Sequence, residues 1–187
     1  MSSSHVTGLI VKSKVFFEKD RIITVFTKQF GLLSVLVKGA QSKSFRYGSS
    51  IEPLNLVSMQ ISKGRSFYYL QSIDVLNRFT TMKKEYNRLM FAYYCLDILL
   101  LVCVSGQANE RLYDCVVTAL FKIDSEYSLR TLHKWYCYHV VSIEGISDVS
   151  ESDFNYHEFT RSFGSYTGVI PKLPQYIEEF EMEKESV

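Results

Sequence analysis

With 187 residues, 47% of them hydrophobic and 14% aromatic, the chain carries enough apolar side chain to bury a core, which excludes wholesale disorder. Its 4 Cys are too few for a disulfide scaffold, its longest apolar run (residues 89–104, broken by Asp97) falls short of the roughly 20 residues of a membrane span, and no secretory pattern opens it, so a soluble protein of a reducing compartment is expected, with no membrane contact. The net charge of +1 hides a segregation: 11 Lys/Arg face 4 Asp/Glu in residues 1–78 (+7), 7 face 7 in residues 79–147, and 3 face 9 in residues 148–187 (−6).

The first 78 residues read as strands. Residues 6–16 are rich in β-branched and aromatic side chains, and the runs RIITVFT (21–27) and LLSVLV (32–37) are separated by a turn at Gly31. Residues 54–61 and 67–75 form a second pair around Lys63-Gly64-Arg65. Five short strands in so short a span predict a small closed barrel or a sandwich. Between the third and fourth strands runs KGAQSKSFRYGSSIEP (38–53), a long basic loop in which Phe45 and Tyr47 interleave with Lys43 and Arg46. Such loops in compact domains are usually functional or disordered.

Helical periodicity takes over at residue 79. Residues 89–104 are apolar almost all round, which predicts a buried central helix. Asn109 is placed to cap a second helix with Leu112, Val116, Leu120 and Ile123 inward, and Ser128 a third with Leu132, Tyr136, Val140 and Ile143 inward, ending at Gly145. Residues 148–187 show no sustained period and read as loop, with one short helix at most, then an acidic tail. The division expected is 1–78 for the barrel and 79–187 for a helical domain.

Motifs for chemistry are scarce. Cys95, Cys103, Cys115 and Cys137 lie 8, 12 and 22 residues apart, spacings of buried helix positions and not of a zinc site. His133 and Cys137 stand four apart with no second ligand pair in sequence. Phosphate loops, the GxSxG elbow and HExxH are all absent, and Glu18 and Asp20 sit in a charged turn, EKDR. No enzyme, metal or cofactor is expected. What remains is a basic barrel bearing nine Phe/Tyr in residues 1–78. Rings that stack bases, with Lys and Arg on phosphates, are how such barrels hold single strands. Phe26 is expected in the core; Phe45 and Tyr47 have the least obvious core role.

The residues 18–40, EKDRIITVFTKQFGLLSVLVKGA, resemble the opening of the bacterial RecO family of DNA repair and recombination mediators. The resemblance rests on Asp20-Arg21, Phe26-Thr27, Gly31 and Lys38-Gly39-Ala40. It continues through Ile51-Glu52-Pro53, Leu56-Val57 and FYYLQSIDVL to Leu89, Ala92 and Tyr94, roughly the first 100 residues. It implies an α+β chain with an N-terminal five-stranded OB-fold barrel followed by a helical domain. It also implies binding and annealing of single- and double-stranded DNA, and interactions with RecR and with the tail of single-strand DNA-binding protein in support of RecA, in the bacterial cytoplasm at the nucleoid. Three departures stand out: the four-Cys zinc motif of many members is missing, the chain is short after Gly145, and Gln41 stands where an arginine is often found.

On this reading Lys38, Lys43 and Arg46 in the long loop contact phosphate, and Arg21, Lys63 and Arg65 extend the track. Arg130 and Lys134, one helical turn apart and flanking Leu132 beside Trp135, are the candidates for an acidic tail peptide. The alternative is an adaptor whose basic barrel binds an acidic protein segment.

Overall fold

The computed structural model describes residues 3–42, 45, 47–125 and 127–174. Five strands come first: β1 (Ser3–Phe16), β2 (Asp20–Thr27), β3 (Gly31–Val37), β4 (Leu56–Lys63) and β5 (Tyr68–Asn77). They close a barrel in the order β1-β2-β3-β5-β4, with β1 paired to both β2 and β4. Every pairing is antiparallel except β3 with β5, the connection that the long loop makes possible. This is the five-stranded OB-fold barrel. Closure leaves no open sheet edge.

Period-two alternation fills the barrel. Val6, Ile10, Ile23, Val25, Val35, Val37, Met59 and Ile61 are buried together inside it. A register shift between Ile10 and Lys12 lets β1 serve two neighbours, because the extra residue bends the strand.

The long loop is packed in part onto the barrel. Residues Gly48–Ile51 form a 3₁₀ turn, and Ile51 is buried in the barrel core. Phe45 and Tyr47 are half-buried against that core with their rings edge-on at 5.8 Å, so the two rings with the least obvious core role in sequence pack against it. Asn55, fully buried, donates from Nδ2 to the carbonyls of Ser49 and Ser50 and ties the loop down. β4 starts at Leu56 and not at residue 54, because Leu54 takes a left-handed φ of 65°.

Helices follow: α1 (Thr80–Lys84), α2 (Tyr86–Val102), α3 (Glu110–Asp124), α4 (Leu129–Ile143) and α5 (Tyr156–Thr167). The chain divides into two compact units. One holds residues 1–78 with Cys103–Tyr113; the other holds Phe79–Val102 with residues from Asp114 onward.

Within the barrel unit, Cys103–Tyr113 lies against the turn of the β2–β3 hairpin. Ser105 bridges to Leu32, the Gly106 N–H donates to the Leu32 carbonyl at 3.2 Å, and Tyr113 packs on Phe26 at 5.6 Å. Phe26 is therefore fully buried, as expected, but on the outside of the barrel.

Along α3 and α4 the inward stripes hold at Leu112, Val116, Leu120 and Ile123 and at Leu132, Tyr136 and Val140, all buried, while Ile143 is half-buried. The Leu112 N–H donates to Asn109 Oδ1, so Asn109 caps α3. Ser128 precedes α4 without a side-chain capping bond. One expectation changes. α2 is not buried all round, since Tyr86, Met90, Tyr93, Asp97 and Leu101 make one exposed stripe at helical spacing. The stretch after Gly145 holds the 12-residue α5, capped by Asn155, whose side chain accepts from the Glu158 N–H. Among the described residues no helix is long and apolar enough to cross a membrane.

Candidate nucleic-acid interface

Strand order brings three segments to one end of the barrel. β1 turns into β2 through residues 17–19, β3 leaves at Lys38, and β4 turns into β5 through residues 64–67. The register pairs Phe16 with Asp20, Arg21 with Val37, Leu36 with Tyr69 and Lys63 with Tyr68, which makes the three segments neighbours. In OB-fold barrels the β1–β2 and β4–β5 loops and the β2–β3 face are where strands of nucleic acid bind. Here the turn end of that face is covered by Cys103–Tyr113, while its other end meets the three segments.

Four of the six sequence-predicted cations gather there. Lys38, Lys63 and Arg65 are exposed, and Arg21 is half-buried. Lys43 and Arg46 lie outside the described residues. Arg21 is fixed in place, with Nε donating to Ser13 Oγ at 3.0 Å and Nη2 to the Ser13 carbonyl at 3.2 Å. Lys38 lies over the ring of Tyr69, its Nζ 5.1 Å from the centroid, within cation–π range. Gly64 lets this happen: a Cβ there would stand 2.3 Å from the Tyr69 ring and 2.8 Å from the Phe67 carbonyl oxygen.

Two hydrogen bonds from the residues after β3 to the β1–β2 turn and the start of β2 hold the end together. The Asp20 carboxylate accepts the Gly39 N–H at 2.8 Å, and the Lys19 carbonyl accepts the Gln41 N–H at 2.9 Å. The Asp-Arg and Lys-Gly-Ala pieces are thus one joint. Asp20 is a positioning group, and in a turn read as merely solvated only its pairing with an upcoming left-handed glycine gives it away; Gly39 has φ 65°. Three phenylalanines border this end. The rings of Phe16 and Phe17 are edge-on at 4.3 Å, and Phe16 meets Phe67 at 5.8 Å.

The second candidate surface is on the helical unit. Arg130 and Lys134 are exposed on α4, and Trp135 is half-buried beside them. Sequence reading missed Lys122, whose Nζ stands 4.1 Å from the Trp135 ring and 5.3 Å from that of Tyr127. The His139 ring lies tilted against that of Trp135 at 4.4 Å, its Nδ1–H donating to the Trp135 carbonyl.

The Cys-bearing core is a packing feature. Cys95, Cys115 and Cys137 are buried and Cys103 half-buried. Burial pushes the Cys115 thiol up to about 12 and those of Cys95 and the Tyr94 phenol well above their usual ranges, since the interior disfavours the charged form. His133 is held by the Tyr94 hydroxyl at 3.2 Å. Among the described residues no group of three or more His, Cys, Asp or Glu is placed to hold a metal ion.

Residues 1–79 match the family model described as Recombination protein O N terminal. Over these residues the chain is similar to the N-terminal domain of the RecO family. Its curated relatives are called DNA repair protein RecO. That of Caldanaerobacter subterraneus is 26% identical over 118 residues, covering 63% of this chain and 48% of the relative. That of Acetivibrio thermocellus is 28% identical over 123 residues, covering 66% and 49%. That of Gloeothece citriformis is 25% identical over 151 residues, covering 79% and 53%. The chain thus spans about half the length of the RecO relatives it matches. The RecO domain match stops at residue 79, whereas the barrel unit also takes in Cys103–Tyr113.

Proposed function

We propose that this chain is a non-enzymatic DNA-binding mediator of repair and recombination, which holds single- and double-stranded DNA on the basic end of its barrel and anneals complementary strands. One observation carries the reading: Arg21, Lys38, Lys63 and Arg65, far apart in sequence, share the end of an OB-fold barrel whose loops are suited to nucleic acid. Annealing breaks no covalent bond. It asks for positive charge that lowers the repulsion between two phosphate backbones, and contacts of this kind position a strand without reading its sequence.

The same reading gives the chain RecR and the tail of single-strand DNA-binding protein as partners in helping RecA onto coated strands, in the bacterial cytoplasm at the nucleoid. An acidic tail ending in an aromatic residue needs cations beside apolar surface. Arg130 and Lys134 beside Trp135, with Lys122 and Tyr127 across from it, supply that composition.

The test is oligonucleotide binding across a salt series, followed by annealing with and without single-strand DNA-binding protein. The variant Lys38→Ala with Lys43→Ala and Arg46→Ala is expected to bind more weakly, its salt slope falling by about 0.7 per lost contact on single strands and about 0.9 on duplex. Unchanged affinity and slope would remove the loop from the interface. A labelled acidic tail peptide that binds the wild type and the Arg130→Ala, Lys134→Ala double variant equally would remove the helical surface.

A further inference from the structure

We propose that Phe17 is a base-stacking platform that gives the barrel end a preference for single strands over duplex; this rests on the DNA reading above. Phe17 sits at the first position of the three-residue turn between β1 and β2, where its side chain is 78% exposed. Its backbone is left-handed, with φ 54°, a region that favours Gly or Asn over a bulky residue. Neither burial nor turn geometry accounts for a phenylalanine at this position. Strain of this sort at an exposed turn points to a contact made with something outside the chain.

The ring is backed by other rings. It stands edge-on to Phe16 at 4.3 Å, and Phe16 in turn to Phe67 of the β4–β5 turn at 5.8 Å. The support comes from both loops that flank the barrel end, and it leaves Phe17 outermost. Charge selects the occupant. Lys19 and Arg21 follow in the same turn and strand, Lys63 and Arg65 lie beside Phe67, and Lys38 leaves β3 next to Arg21's partner Val37. Against them stand Glu18, exposed, and Asp20, whose carboxylate is engaged by the Gly39 N–H. An exposed ring within a cationic rim suits a planar group carried on a phosphate backbone. It suits the apolar side chain of an ordinary protein partner less well. Bases of a single strand can reach such a ring, whereas those of a duplex are already stacked on each other. Base–aromatic stacking of this kind is sequence-tolerant.

The experiment compares wild type, Phe17→Ala, Phe17→Tyr and Phe17→Asn on three probes: an oligothymidine, the same backbone without bases, and a blunt duplex. Phe17→Ala and Phe17→Asn are expected to lose about ten- to hundredfold on oligothymidine, with an unchanged salt slope, and Phe17→Tyr to keep most of the affinity. On the abasic strand and the duplex all four proteins should bind within about twofold of each other, since only phosphate contacts remain. Phe17→Asn, which suits the left-handed turn, should melt no lower than wild type, separating a lost contact from lost folding. Oligothymidine affinity unchanged in Phe17→Ala would overturn the platform, as would an equal loss on the abasic strand. If wild type binds none of the three probes, the DNA reading fails first and takes the platform with it.

Discussion

Gly31 and Gly39 look alike in sequence and in backbone, with φ 63° and 65°, yet the structure asks different things of them. A Cβ on Gly39 meets nothing within 4 Å, whereas one on Gly31 would lie 2.0 Å from the Gln107 carbonyl oxygen, in the segment laid against the hairpin. Gly39→Ala should therefore cost only the left-handed backbone penalty, about 1 kcal/mol. Gly31→Ala should add a steric clash with main chain and cost about 2–4 kcal/mol. Urea denaturation of the two variants checks this, and equal losses would mean that Gln107 does not restrain the hairpin. The cysteines offer a second test at this scale. A thiol pushed up to about 12, as at Cys115, stays protonated at pH 8, and the thiolate is the reactive form. Native alkylation at pH 8 should label Cys103 first and leave Cys95, Cys115 and Cys137 until the chain unfolds, as peptide mass mapping would read. Early labelling of Cys115 would contradict its burial.

The strands were legible because alternation is a local signal: residues such as Ile23, Val25, Val35 and Val37 point inward one by one, and the barrel interior is filled by that pattern. α2 was harder. Its outward stripe of Tyr86, Met90, Tyr93 and Leu101 is apolar apart from Asp97, so composition alone could not tell a surface helix from a buried one. The short helix allowed after Gly145 could not be placed because α5 buries only Phe159 and Phe163 along 12 residues, too few for a period, although Asn155 three residues before Glu158 and Gly168 at its end were signals of its two caps. At the site, the cations could be nominated by charge, but the joint from Asp20 to Gly39 spans 19 residues and exists only once the strands pair. Stability should depend on pH through Glu144, the residue that follows α4. Burial raises its carboxyl above the ordinary range, so the folded state binds its proton more tightly than the unfolded state does. This group favours the fold most below the unfolded carboxyl range and loses that contribution as pH rises through the raised folded value. It also places a negative charge at a helix C-terminus, which the helix dipole disfavours. Glu144→Gln should thus raise the melting temperature at pH 7 and change it little at pH 4. A larger gain at pH 4 than at pH 7 would reverse the assignment.

For the molecule as a whole, charge and chain path separate the two units. Residues 1–78 carry a net +7, and residues 148–187 a net −6, so the barrel is charged to attract a polyanion although the protein's total is near neutral. The barrel, however, is not finished at residue 78. The chain leaves it, forms α1 and α2, and returns to lay Cys103–Tyr113 on the outside of the β2–β3 hairpin. There Tyr113 covers Phe26, Ser105 bridges to Leu32, and Lys28 pairs with Glu110 at 3.8 Å. A fragment ending at residue 79, the span of the family match, would lose that cover. Uncovering the Phe26 side chain alone is worth roughly 1.5–3 kcal/mol. Fragment 1–79 is therefore expected to melt well below a chain in which residues 103–113 follow residue 79 through a Gly/Ser linker, and to bind a hydrophobic dye that the linked chain does not. Both should keep the same salt slope on oligothymidine, because the basic end lies at the opposite end of the hairpin from the returning segment. Matching melting temperatures would show that the returning segment is not needed for the barrel's stability, and a lower slope in fragment 1–79 would show that it contributes to the DNA surface.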